Sequence, residues 1–404
     1  MKLLFAFLLL VQIVVFPCTS AVVSSKASPD GRPLLWKHRD SGHNENKLVF
    51  FKGFKYDFIG VINTDDSLSN EVWMGSNSTG FSIMNTASYN IEGCKSCDIP
   101  KDEEGKLMKK ALAECATLAD FEKMLTEDKG KWGISANFGV IDAQGGAAYY
   151  ETNYNSFVKY DANDVNVAPD GYILRTNFSF SGEKGKGYGY FRFESAEKIF
   201  KEYYVQNKSI SLDFVRDEAD RNMHNSLTNV DVYNLDLPED TTNQSFIAFR
   251  DFIVRNSTVS SMVVQGVRPG DDPSLTTLWT VLGFPLTTLV TPVWVAAGEN
   301  LPSITIAEVG KTAEINKKGL ILKEKCFPVN YDNGADYLNV SAVINKKGTG
   351  IVQRLLPNEK TIVTKTKEII AGWKKDSFKK TDAEKFYIWL DEYINSVYKK
   401  EFGI

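Results

Sequence analysis

Five short apolar runs, at residues 21–24, 33–36, 48–51, 58–61 and 81–85, are separated by turn-forming residues within the first ninety positions. Runs this short cannot make stable helices, and their Gly, Asp and Pro punctuation, as in Pro29-Asp30-Gly31, is the pattern of antiparallel strands. The pattern returns at 133–142 and 145–151, where Asp142-Ala143-Gln144-Gly145 reads as the tight turn of a hairpin. Further strands are expected at 246–253, 258–267 and 275–281. Between them, Leu107, Ala111, Leu112, Cys115, Leu118, Phe121 and Leu125 recur at helical spacing, which predicts a helix over 103–127. A second helical region is expected over 193–228, with Ala196, Ile199, Phe200 and Tyr203 on one stripe. The charged amphipathic tail, about 357–404, reads as one or two helices. No internal repeat or composition break divides the 404 residues, so residues 18–404 are read as a single α+β domain with a large antiparallel component.

The N-terminus has a different character. Lys2 precedes an uncharged apolar run over 3–16, the layout of a secretory signal peptide ending at residue 17. The run is shorter than the roughly 20 residues that span a bilayer, so no stable membrane span is expected and the chain is read as secreted or periplasmic. Net charge is −4, from 47 basic and 51 acidic residues, with no basic run that would suit nucleic acid or an anionic membrane surface.

Apart from Cys18, the cysteines are Cys94, Cys97, Cys115 and Cys326, enough for two disulfides in an oxidising compartment. Cys94 and Cys97 also have the spacing of a redox motif or half a zinc site. No second pair matches, and His38, His43 and His224 are the only histidines. Disulfides or plain thiols are therefore expected, with no metal and no cofactor, and a Cys–His or Ser–His–Asp scheme has few candidates.

Cys18 itself needs no histidine. A cysteine freed at its α-amine carries a thiol nucleophile beside a base of pKa about 7.7–8.0, close to working pH. Such a unit still needs a group to orient the amine and donors to hold the oxyanion.

The segments around it supply candidates in a recognisable order. They are Cys18-Thr19-Ser20-Ala21-Val22-Val23 with Asp30-Gly31 through Trp36-Lys37-His38-Arg39-Asp40, then Gly75 through Asn85-Thr86, then Asn137-Phe138 through Gly145 and Glu151, then Leu174-Arg175-Thr176-Asn177. Over residues 18–180 this order resembles the linear amide hydrolases of the N-terminal-nucleophile superfamily. That group includes choloylglycine hydrolase, penicillin V acylase, the acid ceramidase relatives and the penicillin-forming acyltransferases. The similarity is looser to about residue 295. The resemblance implies a four-layer αββα sandwich and hydrolysis of a linear amide, non-peptide or acyl-peptide, through an acyl-enzyme on Cys18. It implies that Asp40 holds the nucleophile and its amine, that Asn177 is an oxyanion donor, and that Asn85 or the backbone N–H beside it is a second. Lys37 stands where many bile-salt and penicillin-type members have arginine, and Arg39 directly precedes Asp40. Lysine keeps the charge but loses the bidentate fork. A late-strand arginine of those members falls at Ser261, so bile salts and penicillin V are not the expected substrates.

Two matters stay open at this level. Exposing Cys18 requires cleavage after Pro17, by self-processing or by a peptidase, whereas cleavage after Ser20 or Ala21 would discard it and leave a catalytically silent binding protein of the same fold. Asn177 also begins one of six Asn-X-Ser/Thr sequons, with Asn77, Asn207, Asn243, Asn256 and Asn339, and a glycan there would exclude an oxyanion role.

Overall fold

The computed structural model describes residues 18–91 and 102–404. The apolar export segment, Cys94 and Cys97 lie outside the described residues. Two antiparallel sheets carry the architecture. The first holds β1 (Thr19–Val23) and β2 (Leu34–Asp40). The second is a meander of β3 (Asn46–Phe51), β4 (Phe58–Asn63), β5 (Met74–Asn77), β6 (Ser82–Ala87), β7 (Ala136–Ile141), β8 (Ala147–Thr152) and β9 (Phe157–Asp161), paired in that order. β10 (Tyr172–Arg175) returns to pair with β1, and after two small ribbon strands, β11 (His224–Asn225) and β12 (Val230–Asp231), and a third, β13 (Phe246–Ala248), the first sheet is completed. Its order is β10-β1-β2-β14-β15-β16, with β14 at Thr258–Gln265, β15 at Thr277–Val281 and β16 at Thr291–Val293. β17 (Tyr337–Asn339) pairs only with β13.

The sheets pack face to face. A Cβ at Gly139 in β7 would meet Met84 of β6 at 2.2 Å, Val22 of β1 at 3.1 Å and Leu35 of β2 at 3.2 Å, so the two sheets pack tightly here, where glycine leaves the Cβ out. Helices α1 (Glu104–Glu114) and α2 (Leu118–Glu127) cover the outer face of the seven-stranded sheet, with Phe121 edge-on to Phe138 and Tyr150. The outer face of the six-stranded sheet is covered by α3 (Tyr190–Asn207), where Trp36 of β2 stacks on Phe200. The C-terminal half adds α4 (Glu314–Cys326), the single turn α5 (Val340–Val343), α6 (Ile351–Asp376) and α7 (Lys380–Phe402). Trp294, just past β16, packs against Trp373 of α6 and Tyr387 of α7. The result is the expected four-layer αββα sandwich.

Several local readings are corrected. The helix expected over 103–127 is two helices, because Thr117 and Asp120 form a reciprocal capping box that restarts the chain after Cys115. The helical region 193–228 stops at Asn207, where Lys208 takes a left-handed conformation, and resumes only as a π-helical turn at Phe214–Ala219. The tail helix begins at Ile351, not at Pro357, which lies inside α6. Of 246–253 only Phe246–Ala248 is a strand, in the small ribbon. Cys115 and Cys326 are free buried thiols, one in the core under α1 and α2 and the other in the core of the C-terminal half, so they form no disulfide. No described helix is long and apolar enough to cross a membrane.

Candidate active site

Alternation along two neighbouring strands selects the site. In β1, Ser20 accepts a hydrogen bond from Tyr149 of the opposite sheet and Val22 faces Gly139, so even-numbered residues point between the sheets. Cys18, one pleat earlier, belongs to that side. In β2 the odd-numbered residues Leu35, Lys37 and Arg39 point the same way, and Ser20 lies opposite Lys37 in the register. The inter-sheet space is therefore apolar at one end and charged at the other.

Cys18 is buried, 6 % exposed, with its Sγ 3.9 Å from the Asp40 main-chain oxygen. Lys37 Nζ donates to the Asn85 side-chain oxygen at 2.7 Å and to the Trp73 carbonyl at 2.9 Å. Arg39 donates to Asn46 and Asn63 and lies over the Trp73 ring. Burial pulls the Lys37 ammonium down to about 8, opposed by the negative charge available at Cys18. Burial likewise lowers Arg39 to about 10, again opposed first by Cys18.

The Asp40 carboxylate turns to the helical side. Its Oδ2 accepts from Arg255 Nε at 2.9 Å and Nη2 at 2.6 Å, and its Oδ1 from Thr258 at 2.7 Å. Asp40 thus meets the thiol through its carbonyl, while its carboxylate is fixed from β14 and the loop before it.

Asn177 follows β10 and is fully buried. Its Oδ1 accepts from Arg192 Nη2 at 3.0 Å, and its Nδ2 donates to the Ala87 carbonyl at 2.8 Å. Its main-chain carbonyl accepts from the N–H groups of Tyr89 and Tyr188. Asn137 of β7 brackets it, donating to the carbonyls of Thr176 and Phe178 on either side. Arg192 of α3 also donates to the Cys18 carbonyl at 2.5 Å and to Thr19 Oγ1 at 2.9 Å. Of the residues singled out in the sequence, Cys18, Lys37, Asn85 and Asn177 are thereby brought to one end of the sandwich, where Asp40 joins through its main-chain oxygen and Arg39 reaches toward β3 and β4.

The sequence reading missed Arg192, Arg255, Thr258 and Asn137. The glycine-rich approach to α3, Gly185-Lys186-Gly187-Tyr188-Gly189, was a signal for close packing there. Ser261, to which a late arginine was aligned, instead donates to Asp220 at 2.6 Å behind the sheet, and the cation reaching Asp40 is Arg255. The sequons at Asn77, Asn177 and Asn339 are buried; Asn77 donates to the carbonyls of Leu112 and Cys115. Among the described residues no cluster of three His, Cys, Asp or Glu side chains could hold a metal ion.

The fold is thus an αββα sandwich with a cysteine immediately before the second strand of its six-stranded sheet, and comparisons with known proteins can be set beside it. No family model and no curated protein sequence matches the chain. Among solved structures, the chain is similar to a Caenorhabditis elegans N-acylethanolamine-hydrolyzing acid amidase ortholog, at 18% identity over 46% of this chain and 79% of that one, with a TM-score of 0.34. It is similar to a variant of the conjugated bile acid hydrolase of Clostridium perfringens, at 13% identity over 69% and 92%, TM-score 0.40. It is also similar to penicillin V acylase from Agrobacterium tumefaciens, at 11% identity over 69% and 86%, TM-score 0.36.

Proposed function

We propose that this chain is an exported amidohydrolase that cleaves a linear carbon–nitrogen amide bond through an acyl-enzyme on Cys18. The observation that carries the reading is the surroundings of that thiol. Lys37, Arg39 and Arg192 are buried cations, and their hydrogen bonds go to neutral oxygens rather than to carboxylates. Buried charge without an ionic partner is costly, and it suits a place where negative charge must develop during a reaction.

While Pro17 is attached, the Cys18 nitrogen is a peptide nitrogen and cannot serve as a base. Cleavage of the Pro17–Cys18 bond creates the α-amine. That amine takes the thiol proton as sulfur attacks the substrate carbonyl, giving a tetrahedral oxyanion held by N–H donors of Asn177 and of Asn85 or its neighbouring backbone. Lys37 takes up the Asn85 side-chain oxygen, which leaves the NH₂ end of that amide for the substrate. The amine returns its proton to the leaving nitrogen as the C–N bond breaks and a thioester forms. Water then attacks the thioester, losing a proton to the same amine, and releases the carboxylic acid and the thiol. The substrate class is a non-peptide amide or a short acyl-peptide.

N-terminal sequencing of the exported protein tests the first step, and a panel of N-acyl amides and acyl-peptides tests the second. A start at Cys18, and turnover lost in Cys18→Ala and greatly reduced in Cys18→Ser, is expected. A start at Ala21 or Val22, or undiminished turnover in Cys18→Ala, overturns the proposal, the former in favour of a silent binding protein.

A further inference from the structure

We infer that Arg192 is a positioning residue that couples the nucleophile to the oxyanion donor and selects which end of the Asn177 amide faces the substrate; this rests on the roles proposed above for Cys18 and Asn177. One guanidinium spans both groups. Nη1 holds the Cys18 carbonyl and Thr19 Oγ1, and Nη2 holds Asn177 Oδ1. An amide side chain can present either its oxygen or its NH₂ group, and the wrong choice would set an acceptor against a developing anion. Because an arginine only donates, its bond to Asn177 forces the oxygen toward Arg192. The NH₂ group then has one N–H on the Ala87 carbonyl and a second for the site.

The bridge is built into the fold around it. Arg192 is fully buried in the first turn of α3, which is sewn to the Asn177 segment by Tyr188 N–H on the Asn177 carbonyl and by Thr176 Oγ1 on the Gly189 carbonyl. Gly189, the residue before α3, has φ +83°, and a Cβ there would lie 2.1 Å from Arg192 Nη2. Glycine is thus required twice, for the backbone conformation and for the guanidinium packed over it. Arg192 Nε is buried without a partner, so the side chain is held here by its two terminal nitrogens. Burial, with the like charge of Arg255 next, lowers the Arg192 guanidinium to about 9. A group placed at such cost and bonded only to neutral oxygens serves alignment more than stability.

The test uses the processed full chain and counts active sites by the acyl-enzyme burst, so that misfolded protein does not enter the rate. Arg192→Met should lower kcat per titrated site about 10²-fold, as loss of an aligned oxyanion donor does, with KM changed less than about threefold. In an Asn177→Ala background the same substitution should cost less than about threefold more, because its effect runs through Asn177. Arg192→Lys keeps the charge but cannot span both acceptors, and should recover only part of the loss. Gly189→Ala, which changes no site group, should show the same kcat-weighted loss. Unchanged kcat per site in Arg192→Met, or full additivity with Asn177→Ala, overturns the inference. If wild type gives no Cys18-dependent burst on any amide, the proposed function falls instead. The bridge is then judged by exchange of the Asn177 side-chain amide protons in selectively labelled protein. Faster exchange in Arg192→Met than in wild type supports it, and equal rates overturn it.

Discussion

The two ends of the space between the sheets are made by the same strands and differ in almost everything else. At one end Val22 and Leu35 meet Met84 across Gly139, close-packed, with the Tyr149 hydroxyl donating to Ser20 beside them. One or two pleats away, the same faces of β1 and β2 present Cys18, Lys37 and Arg39. The three described cysteines show the same division. Cys115 and Cys326 sit in apolar surroundings that push their thiols up to about 12, whereas Cys18 stands at the charged end, its carbonyl held by Arg192. The apolar end supplies stability that the charged end consumes, since Lys37 and Arg39 are held against their own desolvation. Where a fold tolerates that expense, chemistry is the reason to look for.

The largest effect should come from the charged end. On the proposed mechanism, Asn177→Ala removes a donor whose bond strengthens as the oxyanion forms. It should lower kcat by about 10²–10³-fold, or about 3–4 kcal/mol of transition-state stabilisation, with KM nearly unchanged. Asn177→Asp should be at least as damaging, because it adds negative charge beside the anion. Equal kcat for wild type and Asn177→Ala, on any substrate that needs Cys18, would take Asn177 out of the mechanism and leave the contrast between the two ends a matter of polarity alone.

How much of this was legible in the sequence follows from distance along the chain. The paired strands β1 and β2 and the hairpin of β7 and β8 are local, and alternation with a turn such as Pro29-Asp30-Gly31 discloses them; Gly31 adopts φ +71° there. Lys37, Arg39 and Asp40 could be singled out only through the family resemblance, whose motif runs along the one short strand that holds them. Arg192 and Arg255 could not, since each reaches the site across more than 170 residues and each looks like an ordinary charged residue in its own segment. The break between α1 and α2 was missed because the apolar spacing continues through it, and only the cap at Thr117 stops the helix. Cysteine counting left disulfides and plain thiols both open, and it could not say that Cys115 and Cys326 lie in different layers as free thiols.

A pH profile of stability should separate the ends next. Glu104, in the first turn of α1, is buried and accepts from the Ser135 N–H at 2.9 Å. Its charge is felt by Lys37 and Tyr89, so its protonation bears on the charged end. Burial raises its carboxyl from 4.5 to about 7. A carboxyl whose folded value is raised holds its proton longer in the folded state, so its contribution is full below 4.5 and is lost as pH rises through 7. The loss amounts to at most about 3 kcal/mol. Glu104→Gln should therefore flatten the fall in stability between pH 4.5 and 7.5 and raise the melting temperature at pH 8. An unchanged slope would show that the carboxyl is solvated and that the charged end is less enclosed than its geometry indicates.

The smallest effect belongs to the apolar end, and it is the one that tests whether the two ends are separate. Gly139 has ordinary backbone geometry, so alanine is allowed there and would even gain a little from a less flexible unfolded chain. Its Cβ, however, would fall 2.2 Å from Met84 Cε, 3.1 Å from Val22 Cγ2 and 3.2 Å from Leu35 Cδ1. The first is the far end of a flexible side chain and can swing away; the other two are branched residues in packed strands and must yield by a few tenths of an ångström. Gly139→Ala should therefore cost only about 1 kcal/mol of stability, near the low end of overpacking effects. Because the displaced atoms are apolar and take part in none of the hydrogen bonds of Cys18, Lys37 or Asn177, kcat per titrated site should stay within about twofold of wild type. A larger fall in kcat per site, with the burst intact, would mean that the spacing of the sheets at Gly139 sets the alignment at Cys18, and that the inter-sheet space works as one unit.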